Sequence, residues 1–231
     1  MNLIELSREV KRESGLSGDG ATTVSLAKGN DERILAWVRE AWRDIDLMHE
    51  TWTWRQAQAE GQTSGAMLME PGAAAPGFAL TSFARWRQHT RLYQPTAFRV
   101  SDGLQAERPL GFLPYDRFRR LFMVGVHQPG GLQYWSESPA GDFMVGPTPD
   151  STHVVRADYI RDHVPLVADT DTPALPARFH PLIVWRALRE YGGFDAATEA
   201  YMRADRNLSG GLPSLRQACL PEIRFSTRGL A

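Results

Sequence analysis

The sequence predicts an α+β chain, with a helical bundle formed by N- and C-terminal helices, a β-rich antiparallel insertion between them, and an extended C-terminal arm. Three observations lead there. Apolar residues recur at helical spacing near both ends, short apolar runs between residues 129 and 168 are separated by proline and glycine clusters, and a proline stops the last helix ahead of an apolar tail. On this reading the body takes residues 1–57 and 173–220, the insertion 58–172 and the arm 221–231.

Asn2 to Ser14 places Leu3, Leu6 and Val10 on one helical face with Asn2 as N-cap, and Gly15, Gly18 and Gly20 end the helix in a small-residue loop. From Asn30 the apolar positions Ile34, Val38, Ala41, Ile45, Met48 and Trp52 alternate steps of four and three. That period predicts an amphipathic helix of about five turns, capped by Asn30 or Asp31 and closed by the WTWR run at Trp52 to Arg55. Residues 58–77 then lose any period. Their Gly61, Gly65, Pro71, Gly72, Pro76 and Gly77 predict a long loop, mobile in the monomer, that orders against a neighbour on assembly. Phe78 to Val100 is strand-like with an interruption at Pro95, and Pro114 to Phe122 predicts a short helix with Phe118 and Leu121 or Phe122 on one face.

The runs LQYWSES, DFMVG and STHVVRADYI, bounded by turn clusters, predict an antiparallel meander. Helix returns after Pro181 with Leu182, Ile183, Trp185, Leu188 and Tyr191, and Gly192-Gly193 terminates it. Asp195 caps a second helix carrying Ala197, Tyr201, Ala204 and Leu208, which Gly210, Gly211 and Pro213 break or kink before a last turn to Leu220.

Composition narrows the function classes. With 231 residues the chain buries enough surface to fold without disulfides or metals. Its 26 basic and 27 acidic side chains nearly cancel, which argues against a protein whose main task is coating nucleic acid. No apolar run approaches the roughly 20 residues of a spanning helix. The opening MNLIELSREVKRESG has no continuous apolar stretch, so it is no signal peptide and synthesis in the cytoplasm is expected. All the basic residues except Lys11 and Lys28 are arginine, a bias that suits protein interfaces and that codon usage explains equally well.

Catalytic constellations are sparse. The six histidines, His49, His89, His127, His153, His163 and His180, show no metal-ligand spacing. Asp162 and His163 are adjacent, yet neighbours on a strand point to opposite faces. Cys219 reads as a small hydrophobe in an apolar helix, the Gly18–Gly20 pair lacks a dinucleotide fingerprint, and Asn207-Leu208-Ser209 is a glycosylation triplet on a helix. Arg85, Arg87 and Arg91 share a strand face while Trp86 takes the other, and Arg117, Arg119 and Arg120 surround Phe118. Interleaved aromatic and basic side chains can line a nucleic-acid channel; a solvated face paired with acids is the plainer alternative.

Taken in order, LIELSREVKRESGL, LAWVREAWRDIDLMHETWTWR, the long run PTPDSTHVVRADYIRDHVPLVADTDTPALPARFHPLIVWRALREYGGF and the closing CLPEIRF resemble the head-to-tail adaptor proteins of tailed bacteriophages. The matching positions include Pro147, Pro149, Asp150, Tyr159, Pro165, Leu166, Leu175, Pro176, Phe179, His180, Ile183, Val184, Ala187 and Leu188. The likeness covers most of the chain. It finds no counterpart for residues 58–77, and Gly210–Pro213 interrupts a helix that family members tend to continue.

The resemblance implies a structural virion protein, not an enzyme, with no cofactor. It implies a dodecameric ring docked under the portal that extends the DNA channel and offers a surface to a downstream tail, nozzle or stopper protein. Packaged DNA would pass through the ring without sequence-specific binding. The apolar, aromatic segment behind a helix-stopping proline makes Pro221, Ile223, Arg224 and Phe225 the expected portal-docking residues, and Arg85, Arg87 and Arg91 the expected channel-facing ones. The alternatives are a DNA-binding accessory module using the Arg85–Arg91 strip, or a small metal-dependent hydrolase using Asp158, Asp162 and His163.

Overall fold

The computed structural model describes residues 1–88 and 93–221. It divides into two compact units, Met1–Trp54 with the chain from His163 onward, and Arg55–Asp162.

The first unit is helical. In α1 (Leu3–Ser14) Asn2 is the N-cap: its side chain accepts the Glu5 N–H at 2.8 Å, and the Glu5 carboxylate accepts the Asn2 N–H at 3.0 Å. Gly15 ends the helix with φ 74°, a left-handed conformation that glycine adopts freely. In α2 (Asn30–Leu47) the cap is Gly29 rather than Asn30 or Asp31, and the Asp31 carboxylate is engaged instead by Lys11 Nζ at 2.8 Å. This helix stops at Leu47, short of the expected Trp52. The two tryptophans beyond it close its C-terminus. Trp52 Nε1 donates to the Ile45 carbonyl at 3.0 Å, which also accepts the Met48 N–H at 3.4 Å, and the Trp52 ring stacks on Trp54 at 4.6 Å.

Residues 163–172, expected in the insertion, belong to this helical unit. They are laced to the helices: Trp42 Nε1 donates to Val164 O at 2.9 Å, Arg39 Nε to Leu166 O at 2.8 Å, and the Leu3 N–H to Asp171 O at 2.9 Å. Hydrogen bonding to α1 and α2 therefore overrides the strand-like text.

α4 (His180–Phe194) and α5 (Thr198–Cys219) pack antiparallel, Gly192 lying against Tyr201 and Gly211 against Leu182. Of the glycines expected to break helices, Gly192 and Gly211 are close-approach points, a Cβ at Gly211 coming within 2.4 Å of Leu182 Cδ2, whereas Gly193 and Gly210 have nothing within 4 Å. Gly192-Gly193 sits inside the last turn of α4, and Asp195 caps that helix instead of opening α5. Gly210–Pro213 does not break α5, which runs unbroken to Cys219. An internal proline costs about 3 kcal/mol, but Ala204, Leu208, Leu215 and Cys219 keep one buried face across it and outweigh that cost.

The second unit carries two sheets. β9 (Thr152–Ile160) is the centre of the first, paired antiparallel along all nine residues with β1 (Gln56–Ser64). On its other edge lie β3 (Arg85–Trp86) and β4 (Thr96–Arg99), and β4 also pairs β5 (Arg108–Pro109). The second sheet runs β2 (Leu68–Met69), β8 (Phe143–Gly146), β7 (Tyr134–Glu137), β6 (Gly111–Phe112), with only the β6–β7 pair parallel.

Two expectations change here. The long loop over 58–77 is a strand in its first half, because the small inward residues Ala59 and Gly61 admit a second layer: a Cβ at Gly61 would lie 2.4 Å from Gly77 O. Gln62 and Gly77 exchange two backbone bonds of 3.2 Å, and the remaining turn is tied by Leu80 N–H to Pro71 O at 2.7 Å. The meander is also divided, β7 and β8 forming one hairpin and β9 joining the other sheet. Pro147 and Pro149, between β8 and β9, have no N–H with which to continue a ladder.

Candidate interaction surfaces

The His163 imidazole of the Asp162–His163 pair is engaged by an acid from α2. His163 Nδ1 lies 2.8 Å from Asp46 Oδ2, the other Asp46 oxygen accepts Trp54 Nε1 at 2.8 Å, and the imidazole sits 5.8 Å from the Trp42 ring. Asp46 is buried, so its two hydrogen-bonding partners compensate a desolvated carboxylate at the end of α2. Asp158, the other acid of the hydrolase alternative, is engaged by Arg87 at 3.0 Å. Among the described residues no group of three His, Cys, Asp or Glu side chains could hold a metal ion. Cys219 is buried in the helical core with a free thiol.

Trp86 is a core residue, as its strand position predicts. Its ring lies 4.6 Å from Phe78 and 5.1 Å from Phe143, and its N–H donates to Gly141 O at 2.9 Å. Of the arginine strip, Arg85 is half-buried on β3 and Arg87 lies just beyond it. Arg87 also lies 4.8 Å over the Tyr93 ring, whose hydroxyl is pushed up to about 12, chiefly by burial and further by the Asp158 carboxylate. Arg91 lies outside the described residues.

Among the described residues, the most exposed apolar segment follows the short helix α3 (Tyr115–Phe118), which continues as a π-turn over Arg119–Met123. Two rings anchor it. Phe118 is fully buried and Phe122 packs on it at 5.1 Å, both against bare backbone at Gly146, where a Cβ would come within 2.9 Å of each. From that footing Leu121, Met123, Val124 and Val126 point to solvent, Val126 completely. Arg117, Arg119 and Arg120 are exposed around it and make no ion pair among the described residues. Large apolar side chains held rigidly in water mark contact surfaces. The sequence singles out the arginines and a short-helix face of Phe118 with Leu121 or Phe122, but not the apolar tip beyond it. The legible signal was the unpatterned run LFMVGV, which suits neither a strand nor a helix face.

On the helical unit, Leu16, Asn30, Trp37, Tyr191, Phe194 and Asp195 line a cavity of about 90 Å³. Trp37 meets Tyr191 edge-on at 6.1 Å and Phe194 at 5.7 Å, and Arg33 lies 4.8 Å over the Phe194 ring. The Tyr191 hydroxyl donates to Asp195 Oδ2 at 2.9 Å; burial, then that carboxylate, push its ionisation up. Phe194 stays 61% exposed, too open for a core position.

The chain leaves α5 at an exposed Pro221. Ile223, Arg224 and Phe225, the rest of the expected docking arm, lie outside the described residues. No described helix is long and apolar enough to cross a membrane.

Comparison with known proteins bears on these surfaces. A search of curated proteins returns no match. The family model described as SU10 adaptor protein matches residues 1–218, both helical ends and the whole β unit. Helical ends enclosing a β-rich middle, with surfaces built for contact, accord with that match, and the chain belongs to the SU10 adaptor family, a family of phage head-to-tail adaptors.

Proposed function

We propose that this structural phage protein docks as a ring beneath the portal, extends the DNA channel and presents the surface to which the next tail component attaches. The family match over residues 1–218 carries the reading. It is supported by the rigidly anchored apolar tip at Leu121–Val126, which a protein working alone in water has no use for. The reading gives the chain no catalytic role; the Asp46–His163 contact serves the end of α2.

Within this proposal Arg85, Arg87 and Arg91 face the channel. The Arg87–Asp158 pair leaves its guanidinium partly neutralised, which suits passage of DNA better than tight binding. Pro221, Ile223, Arg224 and Phe225 dock on the portal, and they lie past the end of the family match. Electron microscopy of the protein mixed with its portal tests the assignment: added ring density at one end of the portal is expected, and bare portals would overturn it. Deleting residues 221–231 should leave the monomer folded and abolish docking, and unchanged docking removes the arm's role.

A further inference from the structure

We propose that the tip at Leu121–Val126 of one copy inserts into the Trp37–Tyr191–Phe194 cavity of a second copy, making the lateral contact of the ring. The inference rests on the adaptor reading for its biological setting and on the two surfaces for its chemistry. The donor is convex, apolar and rigid: Phe118 and Phe122 fix its base, and Met123, Val124 and Val126 project from it. The acceptor is concave and aromatic, and its volume of about 90 Å³ offers room for one branched aliphatic side chain.

Charge agrees with shape. Arg117, Arg119 and Arg120 ring the tip without ion pairs among the described residues. Asp195 lines the cavity, and the exposed Glu199 stands on the first turn of α5 close by in sequence. Arg33, 4.8 Å over the Phe194 ring, keeps its positive charge at the edge of the cavity, where Asp195 and Glu199 outnumber it. A tip and a cavity at different places on one chain form a heterologous contact, and repetition of such a contact closes a ring where the rotation permits. An interface of two identical patches would instead stop at a dimer.

A disulfide experiment on the full chain decides this. Cys219 is the only cysteine and is buried, so introduced thiols report alone. Val126→Cys and Asn30→Cys both fall on exposed positions, where neither endangers folding. Combined in one chain at high protein concentration under oxidised glutathione, they should give a ladder of covalent dimers, trimers and longer species. Each single variant should give dimers at most, and adding Met123→Asp to the pair should abolish the ladder. A double variant that cross-links no further than the singles, or a ladder that survives Met123→Asp, overturns the proposal. A ladder formed by a protein that leaves the portal bare would overturn the adaptor reading alone, and portal docking without a ladder would overturn the inference alone.

Discussion

The helical and β units solve the same burial problem with different side chains. The helical core is largely aliphatic, and its tryptophans donate their N–H groups to backbone carbonyls: Trp52 to Ile45 O, Trp42 to Val164 O. The core between the two sheets is aromatic, with Trp86, Phe78 and Phe143 in mutual contact and Trp135 stacked on Phe143 at 5.0 Å. There the Trp135 N–H and the Ser136 hydroxyl are buried without partners among the described residues. The helical unit carries one such group as well, His49 Nε2 just beyond α2, at about 1–3 kcal/mol each, so the two units differ in the side chains that fill their cores and not in whether they tolerate unpaired atoms.

Paired core truncations should have the largest effect. Trp42→Ala and Trp86→Ala are each expected to cost about 3–5 kcal/mol, and hydrogen exchange should show the loss of protection confined to the unit that carries the substitution. Equal loss in both would merge the two cores into one cooperative body. Next come the α5 glycines. Gly211→Ala should destabilise by about 1–3 kcal/mol through the clash with Leu182, while Gly210→Ala, with nothing within 4 Å, should stabilise by about 0.5–1 kcal/mol. Chemical denaturation distinguishes them, and the same sign for both would remove the close-packing explanation.

Asp46→Asn should cost about 1–3 kcal/mol, since it weakens the contacts that hold Trp54 and His163 at the end of α2. Stability measured on the Asp46→Asn, His163→Gln and double variants should be non-additive; simple additivity would separate the two residues.

The smallest effect is a pH response restricted to the helical unit. His180 is buried between the Met1 ammonium, 2.7 Å from Nδ1, and the Leu175 carbonyl, 3.2 Å from Nε2. Burial and then the ammonium lower its pKa below the ordinary 6.5. The unfolded chain therefore binds the proton more readily than the native one between those two values, so stability is full above about 6.5 and falls as pH drops. The thermal midpoint should decline on acidification below that value, and His180→Asn should flatten the decline.

How much was legible follows the range of the interactions. α1 could be read with its cap, because Asn2 and Glu5 act within one turn of each other. The ends of α2 and α5 could not, because Asp31 is taken by Lys11 from another helix and Pro213 is tolerated only while α4 holds the buried face. β1 was invisible for a related reason: Ala59 and Gly61 carry no strand preference, and only the chain at Gly77 gives their smallness a purpose. Of the functional surfaces, the arginines around Phe118 were readable as residue types. The apolar tip and the Trp37–Phe194 cavity were not, since exposure is a property of what the rest of the chain leaves uncovered.

By itself, the sequence determined the α+β class, the helical ends around a β-rich middle, and the adaptor likeness, all of which depend on local periodicity and ordered short motifs. Only the tertiary structure decided that residues 163–172 join the helices, that β9 leaves its apparent hairpin to centre another sheet, and that Leu121–Val126 faces water. These outcomes turn on hydrogen bonds and burial between residues far apart in the chain, where partners compete and local pattern has no information about the winner.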